Sequence, residues 1–174
     1  MTVPLFPMTR SQVQAMGCVA IQGIADGHAN HTKKALAMGA ADVIAWVLAR
    51  IGTLDAEVAE YCIAAVATLS YAPNGRARLG RVGAVEGVVA AMAAHQRVKP
   101  EIQVYGCASL VRMCLHDDDN ARENQKRLVG IKAAARVILS AIQTYPNHPT
   151  LVSQCGSLIK GGHGANELPS GASK

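Results

Sequence analysis

The residues that could carry chemistry in this chain are its cysteines, its histidines and one run of aspartates. None of the five cysteines forms a Cys-x-x-Cys pair. His28 and His31 are three residues apart, but no carboxylate or cysteine stands at ligand spacing from them. These spacings predict neither a metal site nor any other cofactor. An odd number of cysteines without a paired motif indicates a reducing, cytoplasmic setting.

The remaining candidates for catalysis do not form a reactive group. Cys114 and His116 are two residues apart, a spacing at which the side chains of a helix diverge. Neither a dinucleotide-binding fingerprint nor a P-loop occurs. The run Asp117-Asp118-Asp119 lacks the spacing of a calcium loop, and because it precedes a helical segment, one of its members is expected to cap that helix. We therefore expect a protein that is not an enzyme.

The composition favours helices and leaves the choice of partner open. Half of the 174 residues are hydrophobic but only 3% are aromatic, so small and aliphatic side chains must build the core. Alanine is abundant, and it loses no side-chain entropy in a helix. The net charge of +5 permits an acidic partner without requiring one. No stretch approaches the roughly twenty apolar residues that a membrane-spanning helix needs, so membrane insertion is not expected.

The chain repeats with a period of about 44 residues. Gly39-Ala40 and Gly83-Ala84 are 44 residues apart, and an asparagine stands nine residues before each glycine. A third, less regular copy ends at Gly130-Ile131. Each of these glycines is expected to separate a short helix from the next helix, because glycine turns sharply without steric cost. Internal repetition at this period is typical of helical solenoids.

Four cysteines share the period, and they are Cys18, Cys62, Cys107 and Cys155. A free cysteine behaves as a small, usually buried hydrophobe, so these residues are predicted to fill one packing position in each repeat. Packed helices lie roughly 10 Å apart, so the sulfurs are expected to be too distant to meet.

Hydrophobic spacing and helix-breaking residues predict ten helices. They are Ser11–Ala25, His31–Met38, Ala41–Ile51, Ala56–Tyr71, Gly75–Val82, Val85–Arg97, Glu101–His116, Ala121–Val129, Ile131–Thr144 and Pro149–Lys160. Asp55 is expected to be an N-cap and Pro100 to lie in a first turn. The predicted domains are an N-terminal extension (1–10), a repeat domain (11–160) and a flexible C-terminal tail (161–174).

These units, each with a short basic helix, a middle helix and a long helix, resemble the armadillo repeat family from about Ser11 to Lys160. The resemblance rests on Asn30–Gly39-Ala40, Asn74–Gly83-Ala84, Asn120–Gly130-Ile131 and the run Cys62-Ile63-Ala64-Ala65-Val66-Ala67-Thr68-Leu69. It implies an all-α, right-handed α-solenoid of about three armadillo repeats plus an N-terminal half repeat. The alternative is the HEAT type, which has two helices per repeat.

The resemblance also implies where a partner would bind. Armadillo proteins hold partners in a concave groove lined by the long helices, and importin-like members do so with an Asn and, four residues earlier, a Trp. The positions matching the Asn are Ile24, Thr68, Met113 and Gly161, and those matching the Trp are Ala20, Ala64, Ser109 and Ser157. Every position departs from the pattern, so a receptor for nuclear localisation signals is not expected.

The same register predicts which side chains line the groove. They are Met16, Ala20, Ile24, Glu60, Ala64, Thr68, Tyr105, Ser109 and Met113. This small, largely apolar surface would suit an apolar helix or bulky side chains of a partner. The alternative is that the register is off by one residue and that these side chains pack the core. We expect a scaffold subunit of a larger assembly, for which a cytoskeletal or ciliary complex is one hypothesis.

A second candidate surface is a basic ridge along the short helices. Its residues are Lys33, Lys34, Arg76, Arg78, Arg81, Arg122, Lys126 and Arg127. A ridge of this kind could meet an acidic protein or the phosphates of nucleic acid. No aromatic residues alternate with these cations to stack on bases, and the alternative is an ordinary solvated edge.

Overall fold

The computed structural model describes residues 9–161, which form ten α-helices and no β-strand. The helices are α1 (Arg10–Ala25), α2 (Ala29–Ala37), α3 (Ala40–Arg50), α4 (Ala56–Leu69), α5 (Pro73–Arg81), α6 (Ala84–Ala94), α7 (Pro100–Cys114), α8 (Asp119–Gly130), α9 (Ala134–Thr144) and α10 (Pro149–Gly161). The all-helical prediction is confirmed for these residues, and each predicted helix end is within three residues of its observed position. The predicted extension and tail lie largely in residues 1–8 and 162–174, outside the described residues.

Helices that are three places apart in chain order pack against each other. The long helices contact in the order α1, α4, α7, α10, and the middle helices in the order α3, α6, α9. The short helices α2, α5 and α8 form a third row. Between the rows lies one continuous apolar core of aliphatic, alanine and cysteine side chains. Burying each large aliphatic side chain contributes about 1.5–3 kcal/mol to folding.

Local signals in the sequence set several helix ends. The Asp55 carboxylate accepts hydrogen bonds from the backbone N–H groups of Glu57 and Val58, so the predicted N-cap of α4 is confirmed. Pro100 begins α7, where its missing N–H leaves no hydrogen bond unmade. In the aspartate run, Asp118 caps α8 by accepting from the N–H of Ala121 at 2.8 Å.

Two of the three glycine breaks have the predicted conformation. Gly39 and Gly83 have φ of 89° and 84°, in the left-handed region that glycine enters without steric cost. The expected break at Gly130 is wrong, because α8 continues through Gly130 and ends there without a positive φ. The turn falls instead at Ile131–Ala133, before α9 begins at Ala134.

Alanine substitutions at Gly83 and Gly130 should therefore have different effects. We expect Gly83→Ala to lower the free energy of unfolding by about 1–2 kcal/mol, because a Cβ is disfavoured at positive φ. Gly130→Ala should leave stability unchanged or raise it by up to about 1 kcal/mol, since an added Cβ would meet nothing within 4 Å. Urea unfolding of both variants measures the difference, and equal losses would contradict the observed position of the break.

The prediction that cysteines one period apart lie about 10 Å apart is wrong. Cys18 and Cys62 form a disulfide with Cα atoms 5.0 Å apart, and Cys107 and Cys155 form another at 5.1 Å. The figure of roughly 10 Å applies to helix axes. Because Cα atoms lie about 2.3 Å from each axis, residues that face each other across the contact approach to about 5 Å. The two disulfides join α1 to α4 and α7 to α10.

Candidate partner-binding face

The edge helix α1 exposes all three of its predicted groove residues. Met16 and Ile24 are 44% and 56% exposed, and Ala20 is also exposed. α1 is the first helix in the row of long helices and packs against α4 on one side. Apart from Arg10, it carries no charged residue, so its exposed side is almost entirely uncharged.

Farther along the row, the predicted groove register fails. Ser109 and Met113 are completely buried, and Ala64 is 5% exposed, so these three side chains do not line an open groove. Glu60 and Thr68 are half-buried, and Tyr105 is exposed. A helix turns about 100° per residue, so each step of four residues advances about 40° beyond a full turn. Two such steps rotate the side chain at position 113 out of the stripe that begins at Tyr105.

The stripe that is accessible on α7 follows steps of four, three and four residues. Its members are Glu101, Tyr105, Ala108 and Arg112. On and just after α4 the corresponding stripe contains Tyr61, Thr68 and Tyr71. We call these seven residues the long-helix face. Five of the seven were missed from the sequence, although alternating steps of three and four could have identified them: Tyr61, Tyr71, Glu101, Ala108 and Arg112.

Two side-chain contacts organise the long-helix face and its border. The Arg112 guanidinium carbon lies 4.2 Å from the centroid of the Tyr71 ring, which is a cation–π contact between the two stripes. At the other end, Lys99 Nζ donates to Glu60 Oε2 at 2.8 Å. The hydrogen bond to Glu60 raises the pKa of Lys99, with a smaller opposing effect from desolvation. The face is therefore flanked by carboxylates at one end and by a guanidinium beside an aromatic ring at the other.

The basic ridge does not contain Arg76, which is 5% exposed. Its guanidinium pairs with Asp118 and donates to the backbone carbonyls of Ser70 and Tyr71 at 3.1 and 3.3 Å. Arg76 thus completes the C-terminus of α4, where backbone carbonyls have no partner in the helix. Thr32, 44 residues earlier, does the same for α1 by donating to the Ala25 carbonyl at 3.0 Å.

Most of the other ridge cations are already paired with carboxylates. Arg78 lies 2.8 Å from Asp42 and Arg122 lies 2.7 Å from Asp117. Lys126 and Arg127 lie 3.9 and 3.6 Å from Glu123. The ridge cations that form no ion pair within residues 9–161 are Lys33, Lys34 and Arg81. The ridge is a set of local ion pairs more than a continuous strip of free positive charge.

An apolar groove lies at the end of the helical rows, between α1, α2 and α3. It has a volume of about 390 Å³, and we call it the end groove. Its lining residues are Ile21, Ile24, Ala35, Met38, Ala40 and Val43, with His31 and Lys34 at the rim. Met38, one of the lining residues, is 87% exposed.

The residues considered for catalysis have no catalytic geometry. Cys114 is buried, and burial, with a smaller effect of Glu86, raises the pKa of its thiol to about 12. The thiol therefore stays protonated at neutral pH and is a poor nucleophile. The His28 and His31 rings lie with their centroids 4.9 Å apart and their planes tilted by 53°. No group of three metal-ligating side chains occurs in the part of the chain that the structure describes.

Comparisons with known proteins add no family or function. No protein-family model matches the chain, and neither the curated proteins nor the solved structures gave a match. Among the described helices, none is both long enough and apolar enough to span a membrane.

Proposed function

We propose that this chain is a non-catalytic protein-binding module that holds a helix or peptide of a partner protein on its long-helix face. The proposal includes an armadillo-like architecture, a right-handed solenoid of about three repeats plus an N-terminal half repeat. It is supported by the 44-residue period and by the packing of every third helix into a common row. It also places the protein in the cytoplasm, as a scaffold subunit of an assembly such as a cytoskeletal or ciliary complex. In that reducing setting the Cys18–Cys62 and Cys107–Cys155 pairs would be held as adjacent thiols.

The observation that carries the proposal is the presence of two exposed tyrosines and a half-buried arginine on the long-helix face. Tyrosine and arginine are enriched among the residues that dominate the energy of protein interfaces. The chain has only six Phe, Trp and Tyr residues in total, yet Tyr71 and Tyr105 lie exposed on this face, and Arg112 stacks on Tyr71. Because α4 and α7 are adjacent, the two tyrosines belong to one continuous surface.

Affinity capture with matched variants tests this proposal. The wild type, a Tyr105→Glu, Arg112→Glu variant and an Ala93→Glu, Arg97→Glu control would be compared in one native lysate by mass spectrometry. The control introduces two glutamates at exposed positions in the last turn of α6 and in the turn after it, at residues that are not members of the long-helix face. We expect wild type and control to recover the same proteins and the face variant to lose them, because carboxylates buried in an interface without a pairing charge weaken it strongly.

Equal recovery by all three proteins would contradict binding at the long-helix face. Recovery of nucleic acid that depends on Lys33, Lys34 and Arg81 and falls steeply with salt would favour the basic ridge instead. Circular dichroism of each variant keeps loss of binding distinct from loss of folding.

A further inference from the structure

The end groove has an interior counterpart that shows what kind of element covers such a surface. One period after Ala35 and Val43 stand Leu79 and Gly87, and both of these are buried. Gly87 is packed against Leu48 of α3, so the preceding middle helix covers this position. At the end groove, Val43 and Met38 are exposed instead. The element whose shape suits the end groove is therefore another α-helix.

The charge at the groove has an interior counterpart too. Arg78 stands 44 residues after Lys34 and donates to both carboxylate oxygens of Asp42, a residue of the covering helix α3. Lys34 lies at the rim of the end groove and pairs with no carboxylate in residues 9–161. One period after Arg78, Arg122 of α8 pairs instead with Asp117 and Asp119, which are close to it in the sequence. In the repeat next to the end groove, a cation of the short helix (Arg78 of α5) therefore pairs with a carboxylate of the helix that covers it (Asp42 of α3).

We propose that the end groove binds an acidic amphipathic helix of a partner protein. Its apolar side lies against Met38 and Val43, and one of its carboxylates pairs with Lys34 as Asp42 pairs with Arg78. Residues 10–43 contain Arg10, Lys33 and Lys34, against Asp26 in the turn between α1 and α2 and Asp42, which is already paired with Arg78. Lys34 is the charged group in the groove lining, and it complements a carboxylate on the bound helix. This site is separate from the long-helix face, and either could exist without the other.

The chain carries its own reporter for this site. Trp46, the single tryptophan, is exposed on α3 one turn after Val43, with the Arg50 guanidinium carbon 5.6 Å from the centroid of its ring. A helix lying along the groove would change the solvent exposure of this ring. Fluorescence excited at a wavelength that tryptophan absorbs and tyrosine does not therefore reports binding without a label.

The test starts from a displayed library of 16-residue helical peptides selected on the full chain. Counter-selection on a Val43→Arg variant removes peptides that bind elsewhere. Enriched peptides are then synthesised and titrated while Trp46 fluorescence is followed. Lys34→Glu is the specific variant and Lys33→Glu the matched control, because Lys33 is exposed but does not line the groove. All three positions are on the surface, and unchanged helicity confirms folding.

We expect enriched peptides to combine apolar residues at helical spacing with Asp or Glu. Their affinity should fall about ten-fold or more for Lys34→Glu, be lost for Val43→Arg and change little for Lys33→Glu. Enrichment of uncharged or basic peptides, or affinities that are insensitive to Lys34→Glu, would overturn the proposal. So would a concentration-dependent dimer that Val43→Arg abolishes, because the occupant would then be a second copy of the chain.

Discussion

Replacing Arg76 with alanine should lower the free energy of unfolding by about 3 kcal/mol. The variant loses a nearly buried ion pair with Asp118 and leaves the carbonyls of Ser70 and Tyr71 without their donor. Removing one partner of a buried ion pair lowers the free energy of unfolding by about 3–5 kcal/mol. We expect the lower end of this range because the Asp118 side chain is 29% exposed. Urea unfolding followed by circular dichroism measures the loss.

Arg78→Ala is the matched control, because it removes the same side chain from the same helix. The Arg78 and Asp42 side chains are 47% and 43% exposed, and exposed pairs contribute at most about 1 kcal/mol. A loss at Arg78 equal to that at Arg76 would contradict the structural role assigned to Arg76.

The effect of Arg76→Ala should also depend on pH. The backbone N–H of Ala121 and the Arg76 guanidinium lower the pKa of Asp118. Because its folded pKa lies below the unfolded value of about 3.9, the Asp118 carboxylate stabilises the fold above that pH, and this contribution is lost as pH falls through the folded pKa. The stability difference between wild type and Arg76→Ala should therefore be full at neutral pH and shrink in acid.

Met113→Glu should unfold the protein or destabilise it by about 4 kcal/mol or more. Met113 is completely buried, and a glutamate there would be a charge without a partner in the apolar core. Met113→Leu, which preserves volume and polarity, should cost less than about 1.5 kcal/mol. Thermal unfolding of the two variants measures the contrast.

A glutamate at the neighbouring position 112 tests whether α7 tolerates a glutamate at all, apart from whether position 113 is buried. Arg112 precedes Met113 and lies half-buried on the long-helix face. Arg112→Glu should therefore keep the fold, since its side chain is free to reach solvent. If Met113→Glu were as stable as Arg112→Glu, position 113 would be accessible and the observed register would be wrong.

Helix positions could be predicted well from the sequence because they depend on local chemistry. The Asp55 cap, the first-turn Pro100 and the positive φ at Gly39 and Gly83 are each decided by a few neighbouring residues. The prediction failed at Gly130, where the spacing from the preceding asparagine is one residue longer than in the other two repeats. Glycine can also adopt the ordinary helical conformation, and Gly130 does so.

Side-chain environments were harder to predict because they depend on packing between helices. α7 packs against five other helices, α4, α5, α6, α8 and α10, which narrows its accessible stripe and buries Ser109 and Met113. An arginine in a basic segment is expected to be exposed. Arg76 is buried because its guanidinium is paired with Asp118, 42 residues away, and donates to the carbonyls of Ser70 and Tyr71. To predict the cysteine pairs, one would need to know where α1 crosses α4 and where α7 crosses α10. The repeat period alone does not specify these crossing points.

Photo-crosslinking from the long-helix face is the most direct measurement of the proposed function. A benzophenone amino acid would replace Tyr105, and a control would carry it at Ala90, an exposed position on α6. Illumination in native lysate should attach a discrete protein partner at position 105 and none at position 90, with labelling suppressed by Arg112→Glu. Absence of a protein adduct at position 105, or equal adducts at both positions, would contradict partner binding at this face.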